Sequence, residues 1–229
     1  MLSGVSMARH AGKIITPAWP DTSFESELWG SGNTFIAGVD EAGRGAWAGP
    51  VTAGAVILPK NDPDLADRLS GVRDSKQMTA SQRVKWAAII QQYALATASG
   101  WASYEEIDGL GILAATRLAM KRAVEALSIR PEHLLIDALK LPDVPLPQTN
   151  IIKGDARSLS IASASIIAKT ERDHYMELLE EKIPGYGFAR HKGYGTAWHS
   201  RALAEKGVSA QHRRSYAPVQ AILQSENKE

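Results

Sequence analysis

The chain has 229 residues, 44% of them apolar and 22% charged, with 26 Lys or Arg against 25 Asp or Glu. That is the make-up of an ordinary soluble globular protein, long enough to bury a continuous core. Cysteine is absent, which excludes disulfides and thiolate metal sites, and no apolar run approaches the roughly 20 residues needed to cross a bilayer. The opening residues Met1 to His10 lack the basic segment and long apolar stretch of a secretion signal, so the cytoplasm is the expected location. Nothing in the pattern demands an oligomer, and a monomer is expected.

In chain order, residues 1–33 carry Gly, Ser, Pro and Asp with no sustained period and are expected to form a poorly ordered extension with little core. Residues 34–40 read as a strand ending in a Gly-rich turn. Residues 51–58, entered through Gly49-Pro50 and left at Pro59, read as a second, and the short connection favours an antiparallel pair. A helix is expected after Thr79 or Ser81 with Val84, Ala87, Ala88 and Tyr93 on one face, followed by a strand over 96–101. From Gly111, the series Ile112, Ala115, Ala119, Val124 and Leu127 keeps helical spacing until Pro131. Two short apolar strands follow at 133–137 and 150–153, then a long helix carrying Ile161, Ser165, Ala168 and Arg172. The remainder reads as loop and short helix, punctuated by Gly185, Gly187, Gly193 and Gly195. Paired strands followed by strands alternating with helices make an α/β domain with a mixed sheet.

Charge is distributed unevenly. Between Lys182 and Tyr216, seven basic residues (182, 190, 192, 201, 206, 213, 214) face one acid, Glu205, and His191, His199 and His212 fall in the same stretch. Such a segment is either a phosphate-binding surface or a solvated face. The acids that stand out lie at strand ends: Asp40 closes the first strand, Asp137 the fourth, and Asp155 follows the fifth. Ligand sites of α/β sheets collect there, and three converging carboxylates repel unless protonated or bridged by cations. Oxygen-only ligands point to a hard ion such as Mg²⁺ or Mn²⁺. Spacing alone leaves two readings open, a cation site or a set of turn caps. For Glu41 to join Asp40, the strand must bend or end between them, since neighbours in a regular strand face opposite ways.

The run Gly38-Val39-Asp40-Glu41-Ala42-Gly43-Arg44-Gly45, followed by Ala48-Gly49-Pro50-Val51, resembles the opening motif of prokaryotic ribonuclease HII. The resemblance continues in order through Asp74-Ser75-Lys76, Leu135-Ile136-Asp137, Lys153-Gly154-Asp155, residues 161–169 with Arg172-Asp173, Tyr186-Gly187-Phe188, residues 191–196 and residues 212–216. It spans about residues 34 to 220. It implies a ribonuclease H-like fold, a mixed five-stranded sheet flanked by helices, with a catalytic domain over 34–183 and a C-terminal helical substrate-binding region over 184–229. It implies that Asp40, Glu41, Asp137 and Asp155 are catalytic carboxylates holding two divalent ions, Mg²⁺ or Mn²⁺. It implies that Gly43, Arg44 and Gly45 read a 2′-hydroxyl at an RNA–DNA junction and that Tyr194 packs on the deoxyribose downstream. The implied substrates are RNA/DNA hybrid and ribonucleotide-containing duplex DNA. Two departures stand out: Ala46-Trp47 where Pro-Leu is common, and Ala138 where Gly is common.

Lys76, Lys169 and Lys192 are candidate phosphate contacts, each alternatively an ordinary surface lysine. Trp47, Trp86 and Trp101 read as core or half-buried aromatics, and His191 is left without a role. A dinucleotide-binding turn at Gly43, Gly45 and Gly49 fails on context, because Pro50 and a β-branched run follow where a helix would have to begin. A binding protein without catalysis would be expected to lack one of the four acids, and a recombinase-type relative has no reason to keep Gly43-Arg44-Gly45 together with Tyr194.

Overall fold

A computed structural model describes residues 17–226. Five strands, β1 (Ile36–Ala42), β2 (Val51–Ile57), β3 (Ala96–Ala102), β4 (His133–Asp137) and β5 (Gln148–Ile151), form one mixed sheet in the order β3-β2-β1-β4-β5. β1, β2 and β3 pair antiparallel, whereas β4 and β5 run parallel to β1. The expected mixed five-stranded sheet is therefore present, with strand ends shifted by a residue or two.

Each face of the sheet is covered by one main helix. Helix α5 (Ile112–Glu125) packs Ala115, Ala119, Met120 and Ala123 against Ala37, Val39, Ala53 and Ala55 of one face. On the other face lies the 24-residue helix α6 (Leu159–Lys182), held so close that it needs glycine beneath it. A Cβ on Gly38 would come within 2.2 Å of the Ser160 carbonyl carbon, and one on Gly54 within 2.3 Å of the Ala164 oxygen. Because α6 begins just after Asp155 and runs over β1, this close packing ties the fifth strand's exit to the first strand's acids.

Several local expectations are corrected. Residues 1–16 of the expected extension lie outside the described residues, but 17–33 are not without core. They form helix α1 (Ser23–Gly30), whose Phe24, Leu28 and Trp29 pack on Ile36, Leu135, Ile151 and Ile161. Glu25 is buried, and its Oε1 accepts from Ser158 Oγ, Ser160 N and Ser160 Oγ. The segment thus caps the N-terminus of α6, a long-range pairing that no local period encodes. Helix α3 (Ala80–Tyr93), started by a capping box between Thr79 and Gln82, buries Ala87 and Ile90 and leaves Val84 exposed, so its core face is turned from the expected one. Helix α5 ends at Glu125, well before Pro131. Two short helices, α2 (Leu65–Arg68) and α4 (Tyr104–Leu110), were not anticipated; a Ser103–Glu106 capping box starts the latter.

Beyond α6, helices α7 (Phe188–His191), α8 (Ala197–Lys206) and α9 (Ala217–Glu226) form the helical region expected at the C-terminus. Its core joins Tyr186, Phe188 and Ala202 to Met176 and Leu179 of α6 and to Ala48 of the loop after β1.

Candidate active site

The acids at the strand ends are drawn into one electrostatic neighbourhood. Gly38 faces α6 and Leu135 packs with Ile161, so alternation along β1 and β4 puts Asp40 and Asp137 on that same side. Asp155 lies in the 3-10 turn Gly154–Ala156 that leads into α6, and the Gly154 N–H donates to Asp137 Oδ1 at 2.7 Å. Asp40 is 2% exposed. Its Oδ1 accepts from Glu41 N, while among the described residues Asp40 Oδ2 and Glu41 Oε2 have no hydrogen-bond partner.

Glu41 joins these groups by a different route from the expected bend. β1 stays regular to Ala42, with Glu41 opposite Ala53. It is β4 that stops: the last pair is Val39 with Ile136, so beyond it β1 has a neighbour only on its β2 side. Glu41 lies within the field of Asp137, and its Oε1 accepts from Arg44 at 3.1 Å.

Burial, followed by the mutual repulsion of Glu41, Asp137 and Asp155, raises the Asp40 carboxyl well above the usual carboxylate range. Burial also raises Glu41, against the pull of Arg44, and raises Asp137, against the hydrogen bond from Gly154. Lys76 supplies the counter-charge, with Nζ 3.0 Å from Asp155 Oδ2. Partial burial disfavours its ammonium, but Asp155, Asp40 and Asp74 outweigh this and raise its pKa. As they stand, no three acidic or histidine side chains among the described residues lie close enough together to enclose an ion. The unpaired, buried carboxylate oxygens beside a lysine ammonium are nevertheless the donor set that a hard divalent cation satisfies, so the residues present fit such an ion.

The loop after β1 is fixed from behind by two buried arginines. Arg172 of α6 donates to the carbonyls of Pro50, Lys192 and Ala48. Arg213 makes five hydrogen bonds, to the carbonyls of Gly49, Arg44, Gly43 and Pro50 and to the Tyr216 hydroxyl. The two flanking glycines of Arg44 then serve different ends. Gly43 has φ +93°, and a Cβ there would meet Arg172 Nε at 2.0 Å; a Cβ on Gly45 would meet nothing within 4 Å. Gly43 is required by the protein's interior, whereas Gly45 borders open space.

Tyr194 is half-buried, bridged through its backbone to Ala46, with Lys169 Nζ and the Arg172 guanidinium 5.4 and 5.5 Å from its ring centre. Trp47 lies over the following residue: a Cβ on Gly195 would be 2.1 Å from its indole. Trp47, Trp86 and Trp101 are all half-buried, as expected. Of the three lysines, only Lys76 stands among the acids. Lys169 pairs with Asp173 and Lys192 with Glu177, so both already have anionic partners. The basic segment is not one continuous surface either. Arg213, His199 and His212 are fully buried and His191 nearly so, positions that residue type alone assigns to solvent.

The ribonuclease HII family model matches residues 37–219. A ribonuclease HII of Desulfitobacterium hafniense is 55% identical over 199 residues, covering 87% of this chain and 75% of the relative. One of Dehalococcoides mccartyi is 51% identical over 210 residues, covering 91% and 97% of the two chains. The chain belongs to the ribonuclease HII family. The crystal structure of a ribonuclease H2 from Pyrococcus horikoshii is similar in fold, with a TM-score of 0.69 at 26% identity, over 85% of this chain and all of that one. Membership makes the protein a metal-dependent endoribonuclease of a family that cleaves the RNA of RNA/DNA hybrids. The family motif residues that the sequence singles out, Asp40 to Gly45, Asp137, Asp155 and Tyr194, all fall inside the matched span.

Proposed function

We propose that the protein cuts on the 5′ side of ribonucleotides embedded in duplex DNA as well as within RNA/DNA hybrids, leaving 3′-hydroxyl and 5′-phosphate ends. The observation that carries this reading is the cluster of Asp40, Glu41 and Asp137, in which one buried oxygen on each of Asp40 and Glu41 has no partner among the described residues, followed within four residues of Glu41 by a glycine open to an incoming sugar. Asp40, Glu41, Asp137 and Asp155 are the groups that would hold divalent cations, Mg²⁺ or Mn²⁺, two of them during turnover. When bound, such ions activate water and stabilise the departing oxygen of an in-line phosphoryl displacement.

The chain's own residues do the rest. Arg44, 44% exposed at its side chain and paired to Glu41, links the segment that meets the ribose to the acids that meet the phosphate. Gly45 admits close approach of backbone to a 2′-hydroxyl, the group that separates RNA from DNA. The Tyr194 ring, packed on the next sugar, would be crowded by a second 2′-hydroxyl, so one reader requires the hydroxyl and the other favours, without requiring, its absence. Lys76 holds the cluster's charge until cations enter. Lys169 and Lys192 can contact phosphate by exchanging Asp173 and Glu177 for the backbone of the substrate. The helical region from residue 184 onward supplies the substrate-binding side, in a monomeric cytoplasmic enzyme.

The test is a labelled DNA duplex carrying one ribonucleotide, incubated with Mg²⁺, Mn²⁺ or EDTA beside an all-DNA duplex and an all-RNA/DNA hybrid. A metal-dependent cut 5′ to the ribonucleotide, with the all-DNA control intact, is expected. Cleavage of the long hybrid alone would overturn the junction reading and leave the family activity in place.

A further inference from the structure

Behind the Gly193–Gly195 turn, three histidines lie in a buried row. His191 and His199 stack with ring centres 4.3 Å apart and planes 14° from parallel, and His199 Nε2 lies 3.0 Å from His212 Nε2. Trp47 and Phe188 flank His199, and the Tyr186 ring lies against His212.

The backbone groups around this row settle which nitrogen carries each proton. The Ser209 N–H, which can only donate, points at His212 Nδ1 at 3.0 Å, so that nitrogen is an acceptor. A neutral His212 must then carry its proton on Nε2 and donate it to His199 Nε2. That makes His199 Nε2 an acceptor and puts the His199 proton on Nδ1, 3.0 Å from the carbonyl oxygen of Tyr194. By the same logic, the Gly193 N–H donates to His191 Nδ1, leaving Nε2–H to donate to the Tyr186 carbonyl at 2.8 Å. An added proton on His191 Nδ1 or His199 Nε2 would face another donor, and one on His212 Nδ1 would face the Ser209 N–H, with only the Ser209 hydroxyl at 2.8 Å able to turn and accept it. Burial accordingly lowers all three, His199 and His212 to about 4.

We propose that His199 and His212 are positioning residues: a one-directional chain of donors running from Ser209 through His212 and His199 to the Tyr194 carbonyl fixes the backbone, and hence the ring, of the residue that reads the downstream sugar. The proposal rests on the role given to Tyr194 above and assigns no proton transfer to any histidine. It explains why a segment with the composition of a phosphate-binding surface buries three of its imidazoles. Their hydrogen-bond direction anchors a loop, and the loop meets the substrate.

Long-range proton–nitrogen correlation spectra of the full chain with isotope-labelled histidine, at neutral pH, test the chain of donors in the unsubstituted protein. His191 and His212 are expected as Nε2–H tautomers and His199 as the Nδ1–H tautomer. A His199 protonated on Nε2, or any of the three charged, overturns the proposal. The functional arm compares His199→Leu, which has no donor, with His199→Asn, whose amide N–H replaces the Nδ1 donor. His199→Leu should lower cleavage of the single-ribonucleotide duplex about tenfold relative to the uniform hybrid, the loss expected when one buried acceptor is left unpaired. His199→Asn should recover most of that ratio, and Tyr194→Ala should shift it in the same direction as His199→Leu. If Tyr194→Ala shifts the ratio and His199→Leu leaves it unchanged, the positioning role is overturned. If Tyr194→Ala leaves it unchanged, the sugar-reader role fails, and the specificity claim with it, while the spectra still decide whether the anchor exists.

Discussion

The molecule buries like charges in two places and treats them in opposite ways. At the end of β1, Asp40 and Glu41 are enclosed together, near Asp137, with one oxygen on each of Asp40 and Glu41 left without a partner among the described residues. Behind the neighbouring loop, Arg172 and Arg213 are equally buried, and Arg213 gives hydrogen bonds from all three of its nitrogens to carbonyls and a hydroxyl. Buried polar groups cost stability unless they are satisfied. The arginines have therefore spent their hydrogen-bonding capacity on holding residues 43–50, whereas the acids keep theirs for something that arrives. At this end of the sheet the unsatisfied oxygens of Asp40 and Glu41 face the site and the satisfied arginines hold its frame, although an unpartnered oxygen alone does not mark a site, since Glu25 Oε2 at the start of α6 has none either among the described residues.

Substitutions should divide along that line. The largest effect is expected from Asp137→Asn, which keeps shape and removes charge: cleavage of a hybrid should fall by more than about a hundredfold, with duplex binding measured by gel shift largely retained. Turnover near the original rate would remove Asp137 from the binding class. Arg213→Met should act on the frame, leaving the carbonyls of Gly43, Arg44, Gly49 and Pro50 without their donor. A loss of about 3 kcal/mol or more in urea unfolding is expected, and Arg213→Lys should not restore it, because a single ammonium cannot span that fork.

The histidine row belongs to the frame and should show it in pH dependence. His199 and His212 have folded-state values lowered to about 4 from 6.5. For a base whose folded value is depressed, the stabilisation is present above the unfolded value and lost as pH falls toward the folded one. Unfolding midpoints should therefore drop as pH is lowered from about 6.5 to about 4, and His212→Gln should flatten that slope. An equally steep profile in His212→Gln would place the titration elsewhere. The smallest effect concerns Ala138, next to Asp137, which has φ +52°. Ala138→Gly relieves a left-handed conformation at the cost of a more flexible unfolded chain, so a gain of up to about 1 kcal/mol in thermal or urea unfolding is expected. A loss would mean that the alanine methyl is packed rather than strained.

Much of this organisation is legible in the sequence. Strands β1, β2, β3 and β4 and helix α6 follow from period, β-branching and turn residues, and Asp40, Asp137 and Asp155 announce themselves by closing apolar runs. The helix faces were less secure. Val84 satisfies the spacing of α3 but points to solvent, because the helix docks through Trp86, Ala87 and Ile90, and which of two apolar stripes is used depends on the partner. Nothing in the local pattern marks Glu25, Arg213 or the three histidines for burial, since charged and imidazole side chains are ordinarily assigned to the surface; Arg172 shares the spacing of Ile161, Ser165 and Ala168, but its charge argues against the core. Only partners far along the chain, such as Ser158 for Glu25 or Gly43 for Arg213, make their burial tolerable.

The sequence by itself determined the family, the α/β class and the residues for which the cation-binding and sugar-reading roles are proposed, because these depend on residue type and order. Tertiary structure alone decided which charges are left unsatisfied, that Glu41 feels Asp137 although β1 stays regular to Ala42, and that Gly43 answers to Arg172 while Gly45 answers to open space. Those outcomes turn on distances of a few ångströms between segments up to about 170 residues apart in the chain, and hydrogen bonds and desolvation act over no longer range than that.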